Sequence, residues 1–246
     1  PGIILMTEDK DIQTPQPKST VEEVYTQILK DINEAIDLGG LPDVAVNKMR
    51  LCKPAAYAIK ALTLLNMQKW DEAEEAAKQA LAINGAVNDY NNAYQGTAQG
   101  YLAGGTYPII NRGQKGTDED YFYDNSYEFY NCYTPETMAN FEDGHAYKEK
   151  MSCANMEYDY MMDASESILG EPGFNITYDH NSRWNDGGLR STQMYLAIAE
   201  CETHKGNFDT AMEYLDKVRI NRIDPAKYQP LKGTVSTEKD AIAHVK

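Results

Sequence analysis

The sequence predicts a mostly α-helical protein built on tetratricopeptide-like helical hairpins, with a large irregular insertion rich in Tyr, Asn and Gly. Two distant stretches, 57–80 and 195–218, match at a constant offset. Each reads as an Ala-containing helix, a polar turn, an aromatic residue, Asp and a second helix, and small residues let such helices pack closely. Between the two stretches the helical periodicity fades. The matching positions are Tyr57 and Tyr195, Ala61 and Ala199, Trp70 and Phe208, Asp71 and Asp209, and Ala73 and Ala211.

This pattern divides the 246 residues, taken as one domain, into three parts. A first helical-hairpin block covers 20–84, an irregular ligand-binding insertion covers 87–186, and a second helical-hairpin block covers 188–246. The chain is long enough to bury a core without disulfides. Loops held on a rigid scaffold often carry function, so the insertion is where we expect the binding site.

The first block opens with a strongly marked helix. Thr20 and Glu23 have the spacing of a capping box, and Gly39 and Gly40 follow as a helix stop. Apolar residues recur every three to four positions, which predicts a stripe buried against the rest of the protein. The stripe consists of Val21, Val24, Tyr25, Ile28, Ile32, Ala35 and Ile36.

The remaining helices are also marked by caps and turns. Pro54 suits the first turn of a second helix, which runs to about Met67. Asp71 and Glu74 have the spacing to cap a third helix. The second block carries the same kinds of signal for three helices, predicted over 189–204, over 208–220 and after a Thr237–Asp240 cap.

Composition and charge exclude several classes of function. The chain has 23 basic and 38 acidic residues, a formal net charge of −15, so it repels phosphate backbones and nucleic acid is not an expected partner. It has no apolar run of about 18 residues that would span a membrane. Cys52 and Cys201 are predicted to be buried, whereas Cys132 and Cys153 could pair in a disulfide, which the spacing alone leaves open.

The aromatic residues of the insertion are the main candidates for ligand contacts. A sugar ring has an apolar face that Tyr and Trp can stack on, and hydroxyls that Asn and Arg can hydrogen-bond. Alternatively, most of these tyrosines pack the loops against the scaffold. Trp70, in contrast, shares its repeat position with Phe208 and is predicted to be a hairpin core residue. The ligand-binding candidates are Arg183, Trp184, Asn185, Tyr101, Tyr107, Tyr121, Tyr123, Tyr127 and Tyr130.

No recognised catalytic or metal-binding motif occurs in the sequence. The acidic cluster around Asp118, Asp120 and Asp124 could hold Ca²⁺, but Tyr123 stands where an EF-hand needs glycine, so a solvated acidic loop is favoured and no metal or other cofactor is expected. Two carboxylate pairs, Glu142/Asp143 and Asp159/Asp163, resemble the paired carboxylates of glycosidases. Acidic residues are common in this chain, and the absence of other motifs favours binding over catalysis.

Four segments together resemble the SusD/RagB family of outer-membrane nutrient-binding lipoproteins of the Bacteroidota. They follow one another in the family's order, with the long insertion between the second and third, and they cover both helical blocks. In the fourth segment the second Arg comes one position later than the family's pattern has it. The segments are 19–25 continuing into 32–36, 53–62 continuing through 70–73, 189–190 and 194–200 with 206–209, and 211–215 with 218–222.

The resemblance implies a function and a location. It implies non-catalytic capture of a nutrient, most simply an oligosaccharide, on the extracellular face of the outer membrane, and delivery to a SusC-like TonB-dependent transporter. It also implies that this chain is a fragment lacking the N-terminal and C-terminal portions, so that its only link to the membrane is a lipid anchor outside this sequence. The alternative is a tetratricopeptide-type interaction scaffold that binds a peptide or partner protein.

Overall fold

The computed structural model describes residues 2–9, 15–93, 117–124, 132–133, 135–146, 148–149, 152–154, 174–176 and 188–245. The described part of the chain is mostly helical, as predicted. Its framework is two helical hairpins that pack on each other, with short strands between them in sequence.

Three helices make up the N-terminal part of the framework. Helix α1 is Val21–Asp37, α2 is Lys53–Asn66 and α3 is Trp70–Ile83. Helices α2 and α3 form the hairpin, and Pro54 lies in the first turn of α2 as predicted. Where the two helices meet, the buried side chains are small, which permits the close approach. These residues are Ala55, Ala58, Ala61, Ala73, Ala77 and Ala80.

In the described residues, the segment between the hairpins contributes two short helices and most of the strands. They are α4, Tyr90–Ala93; β1, Asp120–Phe122; β2, Cys132–Tyr133; α5, Pro135–Ala139; β3, Ser152–Ala154; and β4, Phe174–Ile176. The second hairpin follows, with β5 at Leu189–Arg190, α6 at Ser191–His204 and α7 at Phe208–Arg219. Helix α8, Glu238–Val245, packs on both α6 and α7.

The two hairpins turn in the same way, which confirms the predicted repeat. After α2, Gln68 N–H donates to Leu65 O and Lys69 N–H donates to Leu64 O. At the matching positions after α6, Gly206 N–H donates to Thr203 O and Asn207 N–H donates to Glu202 O. This is the Schellman arrangement, in which the last carbonyls of a helix are satisfied by the two residues that follow its end.

The residue at the centre of each turn has a positive φ. The angle is 59° at Gln68 and 81° at Gly206. Glycine adopts this conformation without steric cost, whereas a residue with a Cβ is disfavoured there. The first hairpin therefore carries backbone strain at a position where the second does not.

The hairpins stack through α3 and α6. One hydrophobic cluster contains alanines of α2 and α3 together with Met194, Ile198 and Cys201 of α6. Trp70 packs against this cluster, as expected for a hairpin residue, and its ring also stacks on His204 at 4.2 Å between centroids. Cys52 and Cys201 are both buried, as predicted.

A charged cluster joins α3 to the end of α6. The Lys205 ammonium donates to the Glu74 carboxylate, lies 2.5 Å from Glu202 Oε1 and lies 3.5 Å from Asp71 Oδ1. Glu74 also pairs with Lys78. Burial disfavours the charged form of Glu74, but the hydrogen bonds from Lys205 and Lys78 outweigh it and lower its pKa to about 2. Glu74 therefore bridges the two hairpins and does not cap α3, which begins after Lys69.

Helix α1 has the predicted start but not the predicted burial. Thr20 Oγ1 accepts from Glu23 N–H at 3.1 Å and Thr20 N–H donates to Glu23 Oε2 at 2.7 Å, so the capping box is present. None of its residues is buried, and Val21 is 49% exposed. The stripe lies only partly covered because α1 packs chiefly on α2. The Thr237–Asp240 cap of α8 also forms as predicted.

The strands correct one predicted boundary. Leu189 and Arg190 are not the start of α6 but strand β5, which pairs antiparallel with β1 through Asp120–Arg190 and Phe122–Leu189 partners. Arg190 is extended and serves as the residue before the first helical turn. Because Leu189 and Arg190 pair with β1, they are extended and do not join the helix.

The second sheet places two cysteines on either side of a central strand. Its order is β2-β4-β3, and Cys132 and Cys153 both pair with Asn175, from opposite sides. Since neighbouring strands lie about 4.8 Å apart, the two cysteine Cα atoms are about 10 Å apart, beyond the roughly 7 Å limit for a disulfide. The open possibility of a Cys132–Cys153 bridge is therefore not supported.

Among the helices that the structure describes, none combines the length and apolar character needed to cross a membrane.

The positive φ at Gln68 predicts a stabilising substitution. Gln68→Gly removes the strain of the left-handed conformation and should raise the free energy of unfolding by about 0.5–1 kcal/mol, after the larger entropy of glycine in the unfolded chain is subtracted. The reverse change in the second hairpin, Gly206→Gln, is the matched control and should lower stability by a similar amount. Chemical denaturation measures both. Equal stability of all three proteins would mean that the turns are not strained.

The charged cluster predicts a pH-dependent loss of stability. Because the pKa of Glu74 is lowered from 4.5 to about 2, its contribution is present above about pH 4.5 and is lost as the pH falls towards 2. Lys205→Met should lower the free energy of unfolding by about 1–3 kcal/mol at pH 7, since Lys78 still pairs with Glu74, and should flatten the pH dependence below 4.5. Lys232→Met, which removes only the surface pair with Glu213, should leave the unfolding midpoint unchanged. A Lys205→Met protein with the wild-type pH profile would contradict the assignment.

Candidate functional site

Seven of the nine predicted ligand-binding residues lie outside the described residues. They are Arg183, Trp184, Asn185, Tyr101, Tyr107, Tyr127 and Tyr130. What the structure does describe is how the segment that contains them is fixed to the hairpins.

Tyr121 and Tyr123 have a packing role. Their exposed fractions are 1% and 3%, and Tyr121 belongs to the core cluster shared by the hairpins. The Tyr121 hydroxyl donates to Asn84 O at 2.5 Å, and burial raises its pKa above the ordinary value. Tyr123 N–H donates to Lys48 O at 2.6 Å. These two tyrosines therefore pack their loop against the scaffold, which was the alternative interpretation, and they are not candidate ligand contacts.

The acidic cluster does not converge on a common point. Asp118 and Asp124 are exposed, whereas Asp120 is buried and its carboxylate accepts from the backbone and hydroxyl of Thr117 at 2.6 and 2.9 Å. In the described part of the chain, no group of three or more His, Cys, Asp or Glu side chains could hold a metal ion. Asp120 instead closes the turn that leads into β1.

A buried ion pair ties this turn to the second hairpin. Arg222 Nη2 donates to Glu119 Oε2 at 2.9 Å, and both residues are buried. Asn88 N–H donates to the same carboxylate oxygen at 3.1 Å, while Arg222 Nη1 donates to Asn88 O. The guanidinium also lies 3.5 Å from the centroid of the buried Tyr90 ring, a cation–π contact. We call residues 87–186, between the two hairpins, the central segment. Arg222 holds two separate parts of it, one at Asn88 and Tyr90 and the other at Glu119.

A second arginine at the end of α7, Arg219, binds another part of the central segment. Arg219 forms two bonds to the Glu142 carboxylate, at 2.7 Å from Nε and 2.6 Å from Nη2, and also pairs with Asp216. The hydrogen bonds from Arg219 lower the pKa of Glu142. Both arginines lie in the fourth segment of the sequence resemblance, 218–222. Their partners could not be predicted from it, because Glu119 and Glu142 are far away in the chain.

The loop between α1 and α2 contacts strand β1. Lys48 Nζ donates to Asp120 O at 2.5 Å, and Cys52 Sγ lies 3.4 Å from Tyr121 O. This loop exposes an unusual amount of apolar surface, with Val46 95% exposed. We call the residues Leu38, Val44, Val46, Met49 and Leu51 the apolar loop surface.

The strand pair β1–β5 connects these features to the strongest sequence candidate. Trp184 precedes the described residue Gly188 by four positions, and Gly188 leads directly into β5. Since β5 is paired with β1, and β1 is held by the α1–α2 loop and, through Glu119, by Arg222, residues 188–190 belong to the anchored part of the structure. A binding platform on rigid elements loses less conformational freedom on binding.

Comparison with known proteins bears on the fold. No protein-family model matches the sequence, and no curated protein matches it. Solved structures do match. A SusD-like protein from Bacteroides fragilis NCTC 9343 is 17% identical, with a TM-score of 0.60 over 99% of this chain and 61% of its own. A SusD-like carbohydrate binding protein from Bacteroides vulgatus ATCC 8482 is 18% identical, with a TM-score of 0.60 over 99% and 52%.

A SusD superfamily protein from Parabacteroides distasonis ATCC 8503 gives a similar result, with 15% identity and a TM-score of 0.61 over 99% of this chain and 59% of its own. The chain therefore spans between about half and three fifths of the solved structures to which it is similar. These matches show that the chain has the fold of the SusD superfamily, as the sequence resemblance predicted.

The Arg222–Glu119 pair predicts a strong non-additive effect. Arg222→Met leaves the Glu119 carboxylate buried without its main counter-charge and should lower the free energy of unfolding by about 3–5 kcal/mol. In the double variant Glu119→Gln/Arg222→Met the loss should be clearly smaller than the sum of the two single losses. Denaturation of the four proteins gives the coupling energy. A double variant whose loss equals that sum would show that the pair does not connect the two regions.

Proposed function

We propose that the chain belongs to the SusD/RagB family and captures an oligosaccharide without chemically changing it. The observation that carries the proposal is the SusD superfamily fold over 99% of the chain, together with a structural neighbour described as a carbohydrate binding protein. A plain helical scaffold would not need the tyrosine-rich central segment, which is attached to the second hairpin by the buried Arg222–Glu119 pair and by the Arg219–Glu142 pair.

The proposed binding residues are Arg183, Trp184 and Asn185, with Tyr101, Tyr107, Tyr127 and Tyr130 as further platforms. An indole or phenol ring stacks on the apolar face of a sugar, while the guanidinium and amide groups bond its hydroxyls. A single shallow site with a dissociation constant of about 1 mM is worth only about 4 kcal/mol. A long ligand that touches several platforms gains from multivalency.

Of the two carboxylate pairs named above, Glu142/Asp143 lies within the described residues and supports binding over catalysis, whereas Asp159/Asp163 lies outside them. A glycosidase needs a carboxylic acid whose pKa is raised, so that it can donate a proton near neutral pH. The pair Glu142 and Asp143 has the opposite property, because Arg219 and Lys148 lower the pKa values of Glu142 and Asp143 respectively. Neither carboxyl is suited to act as a general acid.

The proposal includes delivery of the ligand to a SusC-like TonB-dependent transporter on the extracellular face of the outer membrane, where the whole protein would be lipid-anchored. Delivery requires a protein–protein contact. The apolar loop surface is a suitable candidate because it is exposed and apolar, lies beside β1 and is fixed by Lys48 and Cys52.

The same surface is the observation that favours the second candidate function, a tetratricopeptide-type scaffold that binds a peptide or partner protein. The two candidates differ in what they require of the central segment. A scaffold would bind its partner through the apolar loop surface and would not respond to glycans.

Trp184→Ala should weaken glycan binding more than it lowers stability. A panel of soluble oligosaccharides is first screened on an array, and calorimetry with the strongest binder then gives the affinity. Loss of one stacking face should reduce the affinity about fivefold or more, equivalent to about 1 kcal/mol. Trp70→Ala is the contrasting variant, because Trp70 packs on the hairpin core and should lower the melting temperature while leaving the affinity unchanged.

Unchanged affinity of Trp184→Ala, together with a large drop in its melting temperature, would assign Trp184 to the core. Failure of wild-type protein to bind any glycan of the panel would contradict saccharide capture and favour the interaction scaffold.

A further inference from the structure

A short stretch of the central segment, residues 141–146, packs against the residues that follow α7, 222–224. An antiparallel bridge joins the two stretches, with one backbone hydrogen bond on each side of it. The bridge is between His145 and Ile223, and the bonds run from Ala146 N–H to Arg222 O at 2.8 Å and from Asp224 N–H to Gly144 O at 2.9 Å. We call these two joined stretches the clasp.

The imidazole of His145 lies within the clasp, between groups of both stretches. It is half-buried, and its ring centroid lies 4.8 Å from that of Phe141. The Arg222 guanidinium acts on it electrostatically from the facing stretch, and the Glu142 carboxylate acts on it from its own stretch. Glu142 is already engaged, because it accepts two hydrogen bonds from Arg219. A proton added to the imidazole would therefore bring a second positive charge close to a guanidinium, beside a carboxylate that is already paired.

These surroundings disfavour the charged form of His145. Burial and the positive charge of Arg222 lower its pKa from 6.5 to about 4, and the Glu142 carboxylate, which acts in the opposite direction, does not compensate. When the clasp is open, the ring is in water and takes up a proton more readily. The stability that neutral His145 gives the clasp is therefore present above about pH 6.5 and is lost as the pH falls from 6.5 towards 4.

The other charged groups around the clasp are paired with one another. The carboxyl groups that precede and follow His145 have lowered pKa values because each accepts a hydrogen bond from a basic side chain, so they stay ionised above about pH 4.5. These pairs are Glu142 with Arg219, Asp143 with Lys148, and Glu149 with Lys227. Glu119 binds Arg222, Asp224 follows the bridge, and His244 of α8 acts on Glu142 from an exposed position.

We propose that the clasp is an acid-sensitive attachment of the central segment, which opens when His145 takes up a proton. The attachment of Asn88 and Tyr90 to the same end of α7 does not include this histidine and stays closed. Acid thus releases one part of the central segment while another part remains held. The proposal concerns the protein without ligand and does not depend on saccharide binding.

Amide hydrogen exchange of the whole chain, followed by NMR at several values between pH 7 and pH 5, tests the proposal. The Ala146 and Asp224 amides donate the two bonds across the clasp, so their protection factors should fall about tenfold or more between pH 6.5 and pH 5. The Tyr90 amide donates to Asn221 O at 2.8 Å outside the clasp and should keep its protection factor over the same range.

Two histidine variants separate this effect from a general response to acid. His145→Gln keeps a polar side chain that cannot take up the proton, so the protection factors at Ala146 and Asp224 should not change between pH 6.5 and pH 5. His244→Gln is the matched control, because it removes an exposed histidine that also acts on Glu142. This control should retain the pH dependence of the wild type.

Wild-type protection factors at Ala146 and Asp224 that do not change with pH would overturn the proposal, as would a tenfold loss that persists in His145→Gln. If a melt shows that His145→Gln does not fold, the titration of the wild-type His145 ring resonances decides. Their midpoint should lie well below pH 6.5, and a midpoint at 6.5 would overturn the proposal. Either result leaves the proposed function untouched, because no saccharide is present.

Discussion

The close contact between alanine-lined helices is the constraint on which the rest of the structure depends. Ala58 and Ala61 of α2 meet Ala73 and Ala77 of α3, and all four are fully buried. A methyl group contributes little apolar area, so the stability comes from the dense packing that small side chains allow between backbones. In the second hairpin the matching alanines Ala199 and Ala211 are also buried, whereas Leu215 stands in the place of Ala77. Lys205 joins the two hairpins by pairing with carboxylates of α3 and α6.

This framework determines where the central segment is attached. Arg219 and Arg222 lie at the end of α7 and hold Glu142 and Glu119, and β5 is the strand from which α6 begins. The Arg222–Glu119 pair is buried, so loss of either partner is destabilising, whereas Glu142 of the other pair is exposed. The described parts of the segment are therefore attached at fixed points of the scaffold.

Local signals made much of the fold predictable. The Thr20–Glu23 capping box, the repeat of the hairpins and the helix ends all depend on residues a few positions apart. Contacts between distant residues were not predictable in the same way. Glu74 was interpreted as a cap, but its partner Lys205 lies 131 positions away. Leu189 begins a strand because β1 pairs with it, and Tyr121 is buried because the hairpin core covers it. Neither fact is visible in the pattern of nearby residues.

The central claim is that the two hairpins form one cooperative unit despite their separation in the chain. Native-state hydrogen exchange of the ligand-free protein tests it most directly. The central amides of α3, 76–80, and of α6, 198–202, should exchange with the same opening free energy and the same denaturant dependence. Exchange of one hairpin at a much lower free energy than the other would show that each folds separately, and would contradict the account.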